Sequence, residues 1–148
     1  MVSAPSNEPP EGAVIRSFFE GLAPDGLDEL ARIYAEEARF RDPFNEVVGL
    51  PAIRRIFADM FEQAPDARFA VHEVVGAAPL LYVRWGFTFT PGRAKEPWSV
   101  EGVSRLALGE DGRVVDHIDY WDPAAGIYER LPLLGTVLRW VRRRLAAD

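Results

Sequence analysis

The sequence predicts an α+β domain, a cone-shaped curved mixed or antiparallel sheet wrapped over three N-terminal helices, with a further helix at the C-terminus. Three observations carry this expectation. Apolar residues recur at three- and four-residue spacing as far as Phe61, and the period then changes to alternation in four runs between Arg68 and Trp121. The runs are separated by turn chemistry, at Ala78-Pro79, Pro91-Gly92 and Glu110-Asp111-Gly112.

Residues 1–11, MVSAPSNEPPE, hold three prolines and little to bury, so they are expected to form a flexible arm ahead of a domain at 12–123. From Ala13 to Leu22, the residues Val14, Phe18 and Leu22, with Ile15 and Phe19 beside them, make one apolar helix face. Pro24, Asp25 and Gly26 end it. Asp25 suits the cap of a second helix, in which Leu27, Leu30, Ala31 and Tyr34 share a face as far as about Ala35. Ala38 to Asp42 reads as a short strand leading into the loop PFNEVVG. Pro51 fits the first turn of a third helix with the stripe Ile53, Ile56, Phe57, Met60 and Phe61, and Pro65 closes it.

The four strands are expected at Arg68–Val75, Leu80–Thr90, Trp98–Leu108 and Arg113–Trp121. Side chains alternate across a strand, so Leu81, Val83, Trp85, Phe87 and Phe89 form one apolar row that should face inward. In the last strand His117, Asp119 and Trp121 share a face opposite Asp116, Ile118 and Tyr120. Residues 124–148 are expected to form an amphipathic basic helix, broken near Pro132, with Leu134, Leu138, Val141 and Leu145 on one face. Arg139, Arg142, Arg143 and Arg144 occupy the remainder. The first reading is a helix docked on the domain with a solvated basic side; contact with an anionic membrane surface is the alternative.

A chain of 148 residues suffices for one domain with its own core. The absence of cysteine excludes disulfides, thiolate zinc sites, iron-sulfur clusters and a cysteine nucleophile. Two histidines leave little for a nitrogen-ligated metal, and neither a metal nor another cofactor is expected. The net charge of −6 argues against nucleic acid as a partner, because binding phosphates requires a positive surface. That charge is unevenly spread: residues 1–136 carry thirteen basic and twenty-two acidic side chains, a net of −9, whereas Val137 to Asp148 carry +3. The N-terminal residues lack the basic and apolar regions of a signal peptide, so a cytoplasmic location is expected.

The run IYAEEARFRDPFNEVVGLPAIRRIF, Ile33 to Phe57, resembles the stretch of Δ5-3-ketosteroid isomerases in which a helix ends in Tyr-Ala, a strand follows, and an Asp-Pro pair opens a loop. DGRVVDHIDYWD, Asp111 to Asp122, resembles their last strand, and the order of elements over residues 13–122 is similar to the nuclear transport factor 2-like superfamily, SnoaL-like polyketide cyclases included. The resemblance implies a small hydrophobic ligand related to polyketides or steroids, a homodimer formed through the outer sheet face around Tyr82, Ile118 and Tyr120, and cofactor-free proton transfer. It places the general base on Asp42, the oxyanion-hole tyrosine on Phe18, and the hydrogen-bond-donating aspartic acid near Ser104. Phenylalanine donates no hydrogen bond and serine only a weak one, so ketosteroid isomerase activity itself is not expected. The resemblance also turns Trp121 into the cavity, and with it His117 and Asp119. The expected roles are Asp42 as base, His117 as acid or electrophile and Asp119 as the group orienting His117, with Phe18, Trp85, Phe87, Ser104 and Trp121 as ligand contacts. An isomerase, cyclase or dehydratase is one reading; a noncatalytic binding or dimeric interaction module is the other.

Overall fold

The structure, a computed structural model, describes residues 8–92 and 94–146. Six strands form one open sheet in the order β2-β1-β6-β5-β4-β3. They comprise β1 (Tyr34–Arg41), β2 (Glu46–Val48), β3 (Arg68–Ala77), β4 (Leu80–Phe89), β5 (Trp98–Leu108) and β6 (Val114–Trp121). All pair antiparallel except β1 with β6, whose parallel pairing makes the sheet mixed.

Helix α1 (Pro10–Gly21) starts at a proline, whose missing N–H costs nothing in the first turn. Two residues of the expected arm thus belong to the helix, and residues 1–7 of that arm lie outside the described residues. The buried face of α1 is Gly12, Ile15 and Phe19, while Val14 is exposed. Of the expected face, Ile15 and Phe19 are buried and Phe18 and Leu22 partly so, while Val14 turns to solvent, so the face is centred about one residue further round than Val14, Phe18 and Leu22. Arg16 fixes this rotation: it donates to the backbone carbonyl of Val71 on β3 and pairs with Glu8 at 3.1 Å.

The expected second helix is a 3-10 segment (Pro24–Glu29) followed by a single α-helical turn, α2 (Leu30–Ile33). Tyr34 is not its last residue but the first of β1, in register with Val114 of β6. The loop expected after Asp42 holds the three-residue edge strand β2, paired with β1. Helix α3 (Leu50–Gln63) buries Ile53, Phe57 and Phe61 against the concave face of the sheet, as its spacing predicts.

The inward row of β4 follows the predicted alternation, with Leu81, Val83, Trp85 and Phe89 buried and Phe87 partly so. Trp85 stands opposite Gly102 of β5, and a Cβ at Gly102 would overlap the Trp85 ring carbons Cζ2, Cη2 and Cζ3. The bare backbone there lets the indole lie flat across β5 and reach Ser104, the next inward residue of that strand. A register irregularity between Ala107 and Leu108 places Val114 and His117 on the same inner face of β6.

After β6, Asp122 caps the short α4 (Pro123–Gly126) through the N–H groups of Ala124 and Ala125, and a 3-10 turn (Tyr128–Arg130) leads into α5 (Pro132–Leu145). Contrary to the docked-helix expectation, α5 packs chiefly on that turn and leaves Leu134, Val137, Val141 and Leu145 exposed. The side chain of Leu138 lies outside the described residues.

Filling the space under the indole tests this packing. Gly102→Val should destabilise the fold by about 1–3 kcal/mol, because an overpacked wall must shift Trp85 off Ser104. Urea unfolding reads the loss, and an unchanged midpoint would contradict the close approach.

Candidate functional site

Five side chains form a hydrogen-bonded chain across the inner face of the sheet. Trp85 Nε1 donates to Ser104 Oγ at 2.8 Å, and Ser104 Oγ donates to Asp119 Oδ1 at 2.5 Å. His117 Nε2 lies 2.6 Å from the same Oδ1, and His117 Nδ1 lies 2.7 Å from the Tyr34 hydroxyl. Register builds the chain: Ser104 is paired with Val83 beside Trp85, and with Asp119 of β6. Parallel pairing of β1 with β6 brings Tyr34 to His117 across 83 residues of sequence.

Burial settles which atoms donate. Tyr34 is fully buried and His117 is 1% exposed, and among the described residues the Tyr34 hydroxyl has no hydrogen-bond partner besides His117. A buried hydroxyl hydrogen left without an acceptor costs about 1–3 kcal/mol, so Tyr34 donates to Nδ1. Nδ1 is then unprotonated, Nε2 carries the hydrogen, and a neutral imidazole donates to Asp119. The close His117–Asp119 contact is on this argument a hydrogen bond from a neutral ring rather than an ion pair. Burial first, and then the negative charge of Asp119, push the Tyr34 hydroxyl well above its ordinary value, which keeps it protonated.

These donors converge on one oxygen of Asp119. The other, Oδ2, has no protein partner among the described residues, and Asp119 lines a cavity of about 360 Å³. Such a volume lies within the range of small-molecule sites, about 300–1,000 Å³. Aromatic rings dominate the wall: Phe69 stacks on Phe87 at 4.6 Å and Phe87 on Phe89 at 5.0 Å, with Trp85 edge-on to Phe69 at 5.5 Å. Toward solvent the lining passes to Phe44, Asp59, Gln63 and Pro91.

Asp119, His117, Ser104, Trp85, Phe87, Trp121 and Asp42 all line this cavity. Phe18 does not. Its ring packs edge-on against Phe19 and Tyr34, and the rotation of α1 gives the wall position to Phe19. Nor does Asp42 present a free carboxylate. Its Oδ1 accepts from the N–H groups of Phe44 and Asn45, each at 2.7 Å, and Asn45 Nδ2 bridges both oxygens at 3.1 Å. This side chain shapes the loop that carries Phe44 over Trp121, with ring centroids 5.5 Å apart. Both ring nitrogens of His117 are engaged within the protein, Nδ1 with Tyr34 and Nε2 with Asp119. Sequence reasoning missed Tyr34, whose tyrosine before a polar strand gives no local sign of a distant partner.

A family model described as a SnoaL-like domain matches residues 15–117. No curated protein matches the chain closely enough to count as a relative. Solved structures are similar in fold. A protein described as a SnoaL-like polyketide cyclase from Jannaschia sp. CCS1 is 23% identical, with a TM-score of 0.66 over 76% of this chain and 84% of that one. A protein with a ketosteroid isomerase-like fold from Catenulispora acidiphila DSM 44928, in complex with trimethylamine, is 12% identical, with a TM-score of 0.68 over 84% of this chain and 92% of that one. An NTF2-like protein of unknown function from Exiguobacterium sp. 255-15 is 18% identical, with a TM-score of 0.64 over 74% and 97%.

The Tyr34 hydroxyl gives the site a measurable signature. The folded protein keeps a proton that the unfolded chain releases, so the stability this contributes is full below about pH 10 and is lost as pH rises through the raised folded value. Urea unfolding followed upward from about pH 8 should show stability declining beyond about pH 10, and Tyr34→Phe should flatten that decline. Equal alkaline declines in both proteins would contradict the buried hydroxyl.

Proposed function

The chain belongs to the family of SnoaL-like domains, and from that membership we propose that its cavity binds a small hydrophobic carbonyl or hydroxyl compound on which Asp119 performs proton transfer. One observation carries the reading: a carboxylate that lines an aromatic cavity is held at one oxygen by two donors, and its other oxygen has no protein partner among the described residues. Fixing Oδ1 in this way orients Oδ2 before a substrate arrives, which is what a general base requires. Oδ2 would take a proton from a carbon beside a carbonyl while the C–H electron pair moves toward the carbonyl oxygen. Return of that proton to a different carbon completes an isomerisation; attack by the carbanion on a second carbonyl, whose oxygen then takes the proton back from Asp119, gives a cyclisation, and loss of a β-hydroxyl as water, carrying that same proton, gives a dehydration.

The roles in this proposal differ from the sequence expectation. Asp119 replaces Asp42 as the base, His117 and Ser104 hold it, and Tyr34 holds His117 in the tautomer that donates to Asp119. Asp42 maintains the loop at the cavity entrance. A second reading, noncatalytic binding of a small alkylammonium compound, is favoured by the same pairing of a free carboxylate oxygen with aromatic walls. The trimethylamine bound to the protein of similar fold from Catenulispora acidiphila supports it.

Hydrogen–deuterium exchange at the carbon beside the carbonyl of a small cyclic enone, followed by NMR in deuterated water, compares these readings. Asp119→Asn should slow the protein-dependent exchange by about 10²–10⁴-fold, while Asp42→Asn should leave it within about tenfold and mainly weaken the loop. The reverse order would assign the base to Asp42. A protein that accelerates no exchange but binds trimethylammonium in an Asp119-dependent manner would support the second reading.

A further inference from the structure

We propose that helix α5 rests this protein on an anionic lipid surface, with the stripe Leu134, Val137, Val141 and Leu145 in the boundary between headgroups and acyl chains. The inference is independent of what the cavity binds.

The orientation of α5 comes first. Gly135 and Arg142 are seven residues apart and therefore share one side of the helix. That side faces the domain: Gly135 is buried, and Arg142 Nη2 lies 3.7 Å from Asp122 Oδ2. The apolar residues, at spacings of three, four and four, consequently lie on a different side, and all are exposed, Val137 at 56% and Leu145 at 81%. An amphipathic helix that merely stabilised the domain would turn this stripe inward. Here the stripe is left exposed, and Gly135 and the partly exposed Arg142 take the side toward the domain.

Charge names the partner. From Arg130 to Ala147 the chain carries five arginines and no acidic residue, while residues 1–136 together carry a net of −9. An anionic lipid surface offers phosphates to the arginines and acyl chains to the stripe, whereas an acidic protein surface offers only the first of these. Trp140, 53% exposed, adjoins the apolar stripe, and the Arg144 guanidinium lies 5.0 Å from the centre of its ring. An indole with a stacked arginine suits the headgroup level, where one part is apolar and the other wet. The 14 residues of α5 extend about 21 Å, short of the roughly 30 Å hydrocarbon core. Among the described residues no helix is long and apolar enough to cross a membrane, so α5 would lie on the surface rather than span it.

Cosedimentation of the full chain with vesicles tests the proposal, using phosphatidylcholine alone and phosphatidylcholine mixed with phosphatidylglycerol at low ionic strength. The protein is expected in the pellet with the anionic vesicles and in the supernatant with the neutral ones. Replacing two exposed arginines, Arg143→Gln with Arg144→Gln, should weaken partitioning by about 25-fold. Val137→Glu with Val141→Glu should abolish it, with far-UV circular dichroism confirming that the domain remains folded. Absence of the wild-type protein from the anionic pellet would overturn the proposal. Equal binding to both vesicles, or binding that survives the two glutamates, would also overturn it. A salt-sensitive dimer that those glutamates dissociate, without vesicle binding, would assign the stripe to a second copy of the chain and overturn the lipid assignment.

Discussion

The inner face of the sheet is organised by the need to satisfy a buried imidazole. His117 is nearly inaccessible, and each of its nitrogens must find a partner inside the protein or carry a penalty of about 1–3 kcal/mol. Tyr34 and Asp119 meet that need, and Asp119 in turn brings in Ser104 and Trp85. One residue comes from each of β1, β5 and β4 and two from β6, so the chain crosses four neighbouring strands and is correctly formed only in one register. A one-residue slip of any of these strands would turn its partner to the outer face. Packing alone would accept several aromatic arrangements in this core; the polar chain selects one.

The same constraint accounts for the asymmetry of Asp119. Two donors meet at Oδ1, which leaves Oδ2 without a protein partner among the described residues, on a side chain that lines a cavity whose other lining is mostly aromatic and aliphatic. With Trp85 bonded to Ser104, Ser104 to Asp119 Oδ1, and His117 to Tyr34 and Asp119 Oδ1, this oxygen is the polar atom of the chain left for a ligand. Interactions with it strengthen where apolar walls exclude water. The cavity thus concentrates its chemical capacity in a single oriented atom, which suits either removal of a proton or pairing with a small cation.

Much of the fold was legible because its signals are local. Alternation identified β3 to β6 and the inward row of β4, and the Ile53, Phe57, Phe61 spacing identified α3. The shared face of His117, Asp119 and Trp121 was legible for the same reason. The parts that were not legible depend on distant partners. Tyr34 fits the apolar face of the preceding helix equally well, and only pairing with Val114 of β6 makes it a strand residue. Phe18 and Phe19 are indistinguishable by spacing, and the bond from Arg16 to the Val71 carbonyl decides which one meets the cavity. Asp42 before Pro43 carries the signal of a turn as well as that of a base, and its bonds to Phe44 and Asn45 put the carboxylate to the first use. The side of α5 that meets the domain was hidden because amphipathicity indicates an apolar stripe without saying what covers it.

The protonation pattern of His117 tests the central claim most directly. Nitrogen chemical shifts of the labelled imidazole at neutral pH should show hydrogen on Nε2 and an unprotonated Nδ1 that accepts from Tyr34. Tyr34→Phe should then move the Nδ1 resonance far more than that of any group outside the chain. Hydrogen on Nδ1, or on both nitrogens, would contradict the account, because the Tyr34 hydroxyl would lose its acceptor and Asp119 would no longer be held as described.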